Sequence, residues 1–225
     1  MEKIIKKKVN NILWNGINVI SLLKQKNLIM EHTNETRKGN YITRTYQDES
    51  PSSPREDDNF GKMICFHNRY DLGDKHDYKS SMFGGWNEMK EQIEEDYNVG
   101  VILPLYLYDH SGITISTSSF SCQWDSGQIG WIFCTKEEME SNFMKLSGQD
   151  LIERSEVLLK GEVETYDQYL TGDVYGYRVF KVETCSQGHE HEEELDSCWG
   201  YYGEDECMKE GVSIMEYYLK DEVVV

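Results

Sequence analysis

The chain has 225 residues, 38% hydrophobic and 12% aromatic, with a formal net charge of −18. That apolar content offsets chain entropy, so the bulk is expected to fold rather than stay disordered, and the acidity argues against binding nucleic acid through phosphate contacts. Residues 1–29 carry six lysines against Glu2, which leaves 17 basic and 40 acidic side chains, a net −23, on the rest.

Residues 1–39 read as a leader outside the core. Asn15, Gly16 and Asn18 interrupt its apolar run and no small-residue cleavage site follows, so it fits neither a signal peptide nor a membrane span. Its Lys, Asn, Ile and Leu bias is what AT-rich DNA encodes by default, and translation from Met30 is the expectation. Residues 40–225 are expected to form a single acidic domain. Six cysteines spread through a chain of this size, without a secretion signal, read as reduced and mostly buried thiols in a cytoplasmic protein.

Tyr41–Tyr46 alternates as a strand does, Asp48–Phe60 is a loop around Pro51 and Pro54, and Met63–His67 is a short apolar strand. Asp71–Gly85 is polar loop. Trp86, Met89, Ile93 and Tyr97 mark an amphipathic helix ended by Asn98 and Gly100. Val101–Tyr108 is apolar enough for a central strand, with Pro104 implying an edge or a bulge. Ile113–Thr117 and Ile129–Thr135 are expected to pair, joined by the loop Phe120–Gly127. Thr135 caps a helix with acids in its first turn, Gln149–Leu170 is the longest helix, and Val174–Val182 is a strand. Ser186–Gly203 reads as acidic loop around a short Cys198-Trp199 element, and Glu204–Leu219 as a final helix. Strands and helices without regular alternation predict an α+β fold: a mainly antiparallel sheet with three to four helices.

Three constellations could carry chemistry. The loops holding His67, Arg69, Asp71, Asp74 and Asp77 offer carboxylates, but the spacing is not that of a calcium loop, and solvated acids or helix caps are the plainer reading. Asp109-His110-Ser111-Gly112 ends the apolar strand, with Cys122, Trp124 and Asp125 across the expected hairpin. There His110 beside Asp109 could serve as base for Cys122 or Ser111, although Asp-His-Ser-Gly is equally a good turn. The candidate catalytic set is therefore Asp109, His110 and Cys122, and the candidate binding set is His67, Arg69, Asp71, Asp74, Trp124 and Asp125. Cys185, His189, His191 and Cys198 hint at zinc, but their spacing matches no knuckle. No metal or other cofactor is expected. No Walker loop, dinucleotide fingerprint or HExxH motif occurs.

The block Tyr46–Asp74, with Ser53-Pro54-Arg55-Glu56 and Arg69-Tyr70-Asp71-Leu72-Gly73-Asp74 near its ends, is followed by Leu103–Thr114, Trp124–Gly130, Glu164–Tyr177 and Cys198–Gly203. Across residues 42–206 this pattern resembles a family of uncharacterised proteins of bacteriophages and mobile elements. Asp57 stands where the family often has Trp. The resemblance implies an accessory protein acting in the bacterial host cell, and it assigns no catalytic residue. Joined to the acidity, it points to a non-enzymatic binding protein for a basic host component, one version of which offers carboxylates in place of phosphates to a nucleic-acid channel. A metal- or Cys/His-dependent hydrolase and a virion-associated structural protein are the alternatives. No membrane partner is expected, and oligomeric state is not legible.

Overall fold

The computed structural model describes residues 30–223; expectations for residues 1–29 lie outside them, while residues 30–39 of the expected leader are described and hold a largely exposed strand, Asn34–Lys38, paired with Tyr41–Gln47. In chain order the elements are β1 (Asn34–Lys38), β2 (Tyr41–Gln47), β3 (Lys62–Cys65), α1 (Trp86–Tyr97), β4 (Val99–Asp109), β5 (Ile113–Ser116), β6 (Ser126–Thr135), α2 (Lys136–Asn142), α3 (Gly148–Thr171), β7 (Val174–Thr184), β8 (Glu190–Tyr202) and α4 (Glu204–Val223). Two antiparallel four-stranded sheets, ordered β1-β2-β7-β8 and β3-β6-β4-β5, and four helices make an α+β fold among the described residues. No described helix is long and apolar enough to cross a membrane. The chain divides into two compact units, one of residues 30–46, 177–197 and 208–223, the other of residues 47–176 and 198–207.

The larger unit holds the β3-β6-β4-β5 sheet, and its packing follows from period-two alternation. Along β6, Trp131 and Phe133 join Ile64, Met89 and Ile93 under α1, while Ile132 and Cys134 join Met63, Leu159, Val163 and Tyr166 under α3. A strand covered on both faces must be apolar at successive positions, which is why β4 and β6 read as nearly continuous apolar runs. Helix α1 ends at Asn98, whose left-handed φ of 47° stops the turn. Thr135 and Glu138 close a reciprocal capping box at the start of α2. Pro104 faces Trp131 of β6 on one side, and β5 pairs with β4 only from Tyr106 onward, so the missing N–H falls where the second ladder has not begun. A register shift between Leu105 and Tyr106 adjoins it.

Two expectations need correction. Strands β5 and β6 do not pair, because β4 lies between them; a tight turn folds β5 straight back on β4, and residues 117–125 then carry the chain to the opposite edge of β4. The stretch expected as acidic loop is the thirteen-residue strand β8. Its charges hid it. Alternate carboxylates of β8 face arginines from other strands: Glu190 accepts from Arg37, Glu192 from Arg44 and Glu194 from Arg178. Opposite charges across strands remove the repulsion that would otherwise oppose an acidic strand.

In the smaller unit, α4 lies against the β1-β2-β7-β8 sheet. Gly211 permits the approach: the Thr43 hydroxyl donates to its carbonyl at 3.1 Å, and a Cβ there would stand 2.6 Å from the Thr43 methyl.

Candidate functional site

The signature block folds around one arginine. Pro54 opens a single 3-10 turn capped by Ser53, which points Arg55 inward until its side chain is 4% exposed. Its Nε and Nη2 donate to the two oxygens of Asp74 at 2.8 and 2.7 Å, Nη1 to Glu162 at 3.1 Å, and Nη2 also to the Gly61 carbonyl at 2.7 Å. Glu162 in turn accepts from the Phe60 N–H at 2.5 Å, and Asp74 from the Met63 N–H at 2.7 Å. Burial works against the charge of Arg55, but the hydrogen bonds and charges of Asp74 and Glu162 outweigh it and its pKa is raised. Asp74, a candidate binding residue, is thus engaged in a clamp that fixes the loops to β3 and α3. A cavity of about 620 Å³ opens over this clamp, lined among others by Asp57, Lys62, Asp71 and Lys75. Asp71 lines that cavity and, with His67 and Tyr70, a second one of about 340 Å³.

The other candidates meet at the β4–β5 end of the sheet. Asp109 closes β4 opposite Ile113, and its N–H donates to the Asp125 carbonyl at 2.8 Å, tying the turn to the crossover loop. Ser111 sits at φ 60° and the His110 N–H donates to the Gly112 carbonyl at 3.0 Å, the tight turn that Asp-His-Ser-Gly foretold. The Arg69 Nη2 donates to Asp109, and His67 Nε2 stands 3.9 Å from the same carboxylate. Tyr70 stacks on His67 at 4.9 Å, with the Arg69 guanidinium 5.4 Å from its centroid. His67, Arg69, Asp109, Trp124 and Asp125 line a pocket of about 370 Å³, and Trp124 is 96% exposed at its rim. The two loop systems of the signature therefore join, through Arg69, His67 and Asp109.

His110 and Cys122 both turn to Asp125. His110 Nδ1 lies 3.3 Å from Asp125 Oδ2 and the Cys122 thiol 3.7 Å from the same oxygen. The carboxylate that orients the imidazole thus also takes the thiol. His110 and Asp74 lie in separate networks. Among the described residues no three His, Cys, Asp or Glu side chains converge as metal ligands. His191 and Cys198 both lie on β8, seven residues apart, which in a strand is about 23 Å, too far for one ion. Burial pushes the thiols of Cys65 and Cys207 up to about 12 and that of Cys134 up to about 11. Cys185, in the exposed β7–β8 turn, is lowered by the backbone N–H groups of Gln187 and His189.

Sequence reasoning passed over Arg55, Glu162 and Tyr70. Arg55 stood inside the signature block, and an arginine between a proline turn and an acidic run was the available signal. Glu162 carried none, since its partners lie about a hundred residues away. Comparison with family models, with curated proteins and with solved structures finds no match to this chain.

Proposed function

We propose that this chain is a non-enzymatic acidic binding protein, of the phage and mobile-element kind its signature block resembles, and that it engages a basic component of the host cell. The observation that carries the reading is where the acids of the larger unit point. Helix α1 turns Glu88, Glu91, Glu94, Glu95 and Asp96 outward with Lys90 as its sole basic residue, and α2 adds exposed Glu137, Glu138 and Glu140. Carboxylates held at a surface and interspersed with few cations attract a basic partner and speed its encounter.

The test is affinity capture from bacterial lysate at about 0.1 M and about 1 M salt, where the Debye length falls from about 10 Å to about 3 Å. The expected result is a basic protein that binds with fixed stoichiometry at the lower salt and is released at the higher. A saturable partner that is acidic, or one indifferent to salt, refutes the reading.

A further inference from the structure

We propose that the pocket beneath Trp124 is a site for one arginine side chain of the basic partner, and that Arg69 is the chain's own guanidinium resting in it until the partner's displaces it. This rests on the reading of the chain as a receptor for a basic partner, and adds where and by what chemistry that partner is gripped.

The contrast between the two arginines of the signature block motivates it. Arg55 is 4% exposed, bonded to Asp74, Glu162 and a carbonyl, and removable only at the expense of the loops around it. Arg69 is 65% exposed, yet it meets a carboxylate that is only 20% exposed. Its remaining contact is the face of Tyr70. An exposed guanidinium on a recessed carboxylate contributes little to folding and is exchangeable for another of the same shape. The recess has the features such an exchange needs. Asp109 is fixed by its N–H to Asp125 and by the β4–β5 turn. Asp125 lines the same pocket and adds a second negative charge, its Oδ2 already shared by His110 and the Cys122 thiol. Trp124, 96% exposed, offers an indole face at the rim that the fold leaves in water. A planar guanidinium bonds a carboxylate in a fork while stacking on an indole, and a lysine ammonium does only the first, as a point charge. On displacement Arg69 retains its stack on Tyr70, so the exchange leaves no charge buried alone.

The experiment is calorimetric titration of the full chain with a nona-arginine and a nona-lysine peptide at physiological ionic strength, for the parent and for Asp109→Asn, Trp124→Ala and Arg69→Ala. The arginine peptide is expected to bind about tenfold tighter than the lysine peptide. Loss of Asp109 or Trp124 weakens the arginine peptide by about tenfold and about fivefold. Arg69→Ala, an exposed change that spares the fold, tightens it by about threefold because the internal competitor is gone. Equal binding of both peptides, salt-sensitive and indifferent to all three substitutions, overturns the pocket while leaving the acidic-receptor reading standing. Failure of both peptides to bind even at low salt overturns that reading too. Weaker binding by Arg69→Ala makes Arg69 a member of the site and refutes its role as stand-in.

Discussion

Replacing Arg55 by Ala leaves Asp74 and Glu162 facing each other with the Gly61 carbonyl orphaned. Breaking a buried ion pair from one side costs about 3–5 kcal/mol, because the surviving charge is stranded. Asp74 and Glu162 keep 20% and 18% exposure, so water relieves part of that, and the lower end, about 3 kcal/mol, is expected. For a chain of this size that loss lowers the melting temperature by about 6–12 °C. Arg55→Lys restores one donor but not the fork that reaches Asp74, Glu162 and Gly61 together, and recovers less than half. Urea unfolding followed by circular dichroism measures both variants. An Arg55→Ala protein within about 1 kcal/mol of the parent would refute the clamp as the element that fixes the signature loops.

In the smaller unit, Gly211→Ala gains up to about 1 kcal/mol of helix propensity. It also drives a Cβ to 2.6 Å from the Thr43 methyl and 3.0 Å from Tyr177 Cβ, so a net loss of about 1–2 kcal/mol is expected in a thermal melt. The carboxyls of Glu190, Glu192 and Glu194 are held below 4.5, chiefly by hydrogen bonds from Arg37, Arg44 and Arg178. Folded values below unfolded ones mean stability present above that pH and lost as pH falls through the folded values. The triple Gln variant should therefore show a shallower decline of the urea midpoint on acidification below 4.5, and an unchanged slope would dismiss the ladder. At neutral to mildly alkaline pH, thiol-alkylation mapping should label Cys185 before Cys65 and Cys207, whose thiols burial holds near 12. For the proposed binding of a basic partner, neutralising Glu91 and Glu95 should weaken affinity more than neutralising Glu190, Glu192 and Glu194, measured at one salt concentration.

What the sequence made legible was governed by neighbours in the chain. The bounds of α1 follow from apolar residues three and four apart and an Asn that accepts a left-handed φ; the start of α2 follows from a capping box four residues long. The β4–β5 turn was similarly local. What stayed hidden depends on distant partners. Inserting β4 between β5 and β6 is a choice among pairings that alternation alone does not rank, since β4 and β6 both carry apolar residues on successive positions and the short alternating β5 suits an edge beside either. Arg55 and Glu162 are ordinary surface residue types until 107 positions of chain are folded away between them.

Strand β8 shows most clearly why acidity in a sequence is not acidity at a surface. Residues 186–206 hold eight acids and no Lys or Arg, the densest run in the chain, and so look like its most negative face. Yet Arg37, Arg44 and Arg178 meet three of those carboxylates, and the Arg44 and Arg178 guanidiniums also stand about 5 Å over the Phe180 ring, which holds them in place. Those charges are largely cancelled at close range, where a partner's cation would have to displace an arginine already bonded by a fork. Helix α1, with fewer acids but one lysine among them, keeps its field. The same rule separates Arg55 from Arg69. An ion pair with both partners recessed holds the fold together, whereas one whose cation stands in water holds a place that another cation can take.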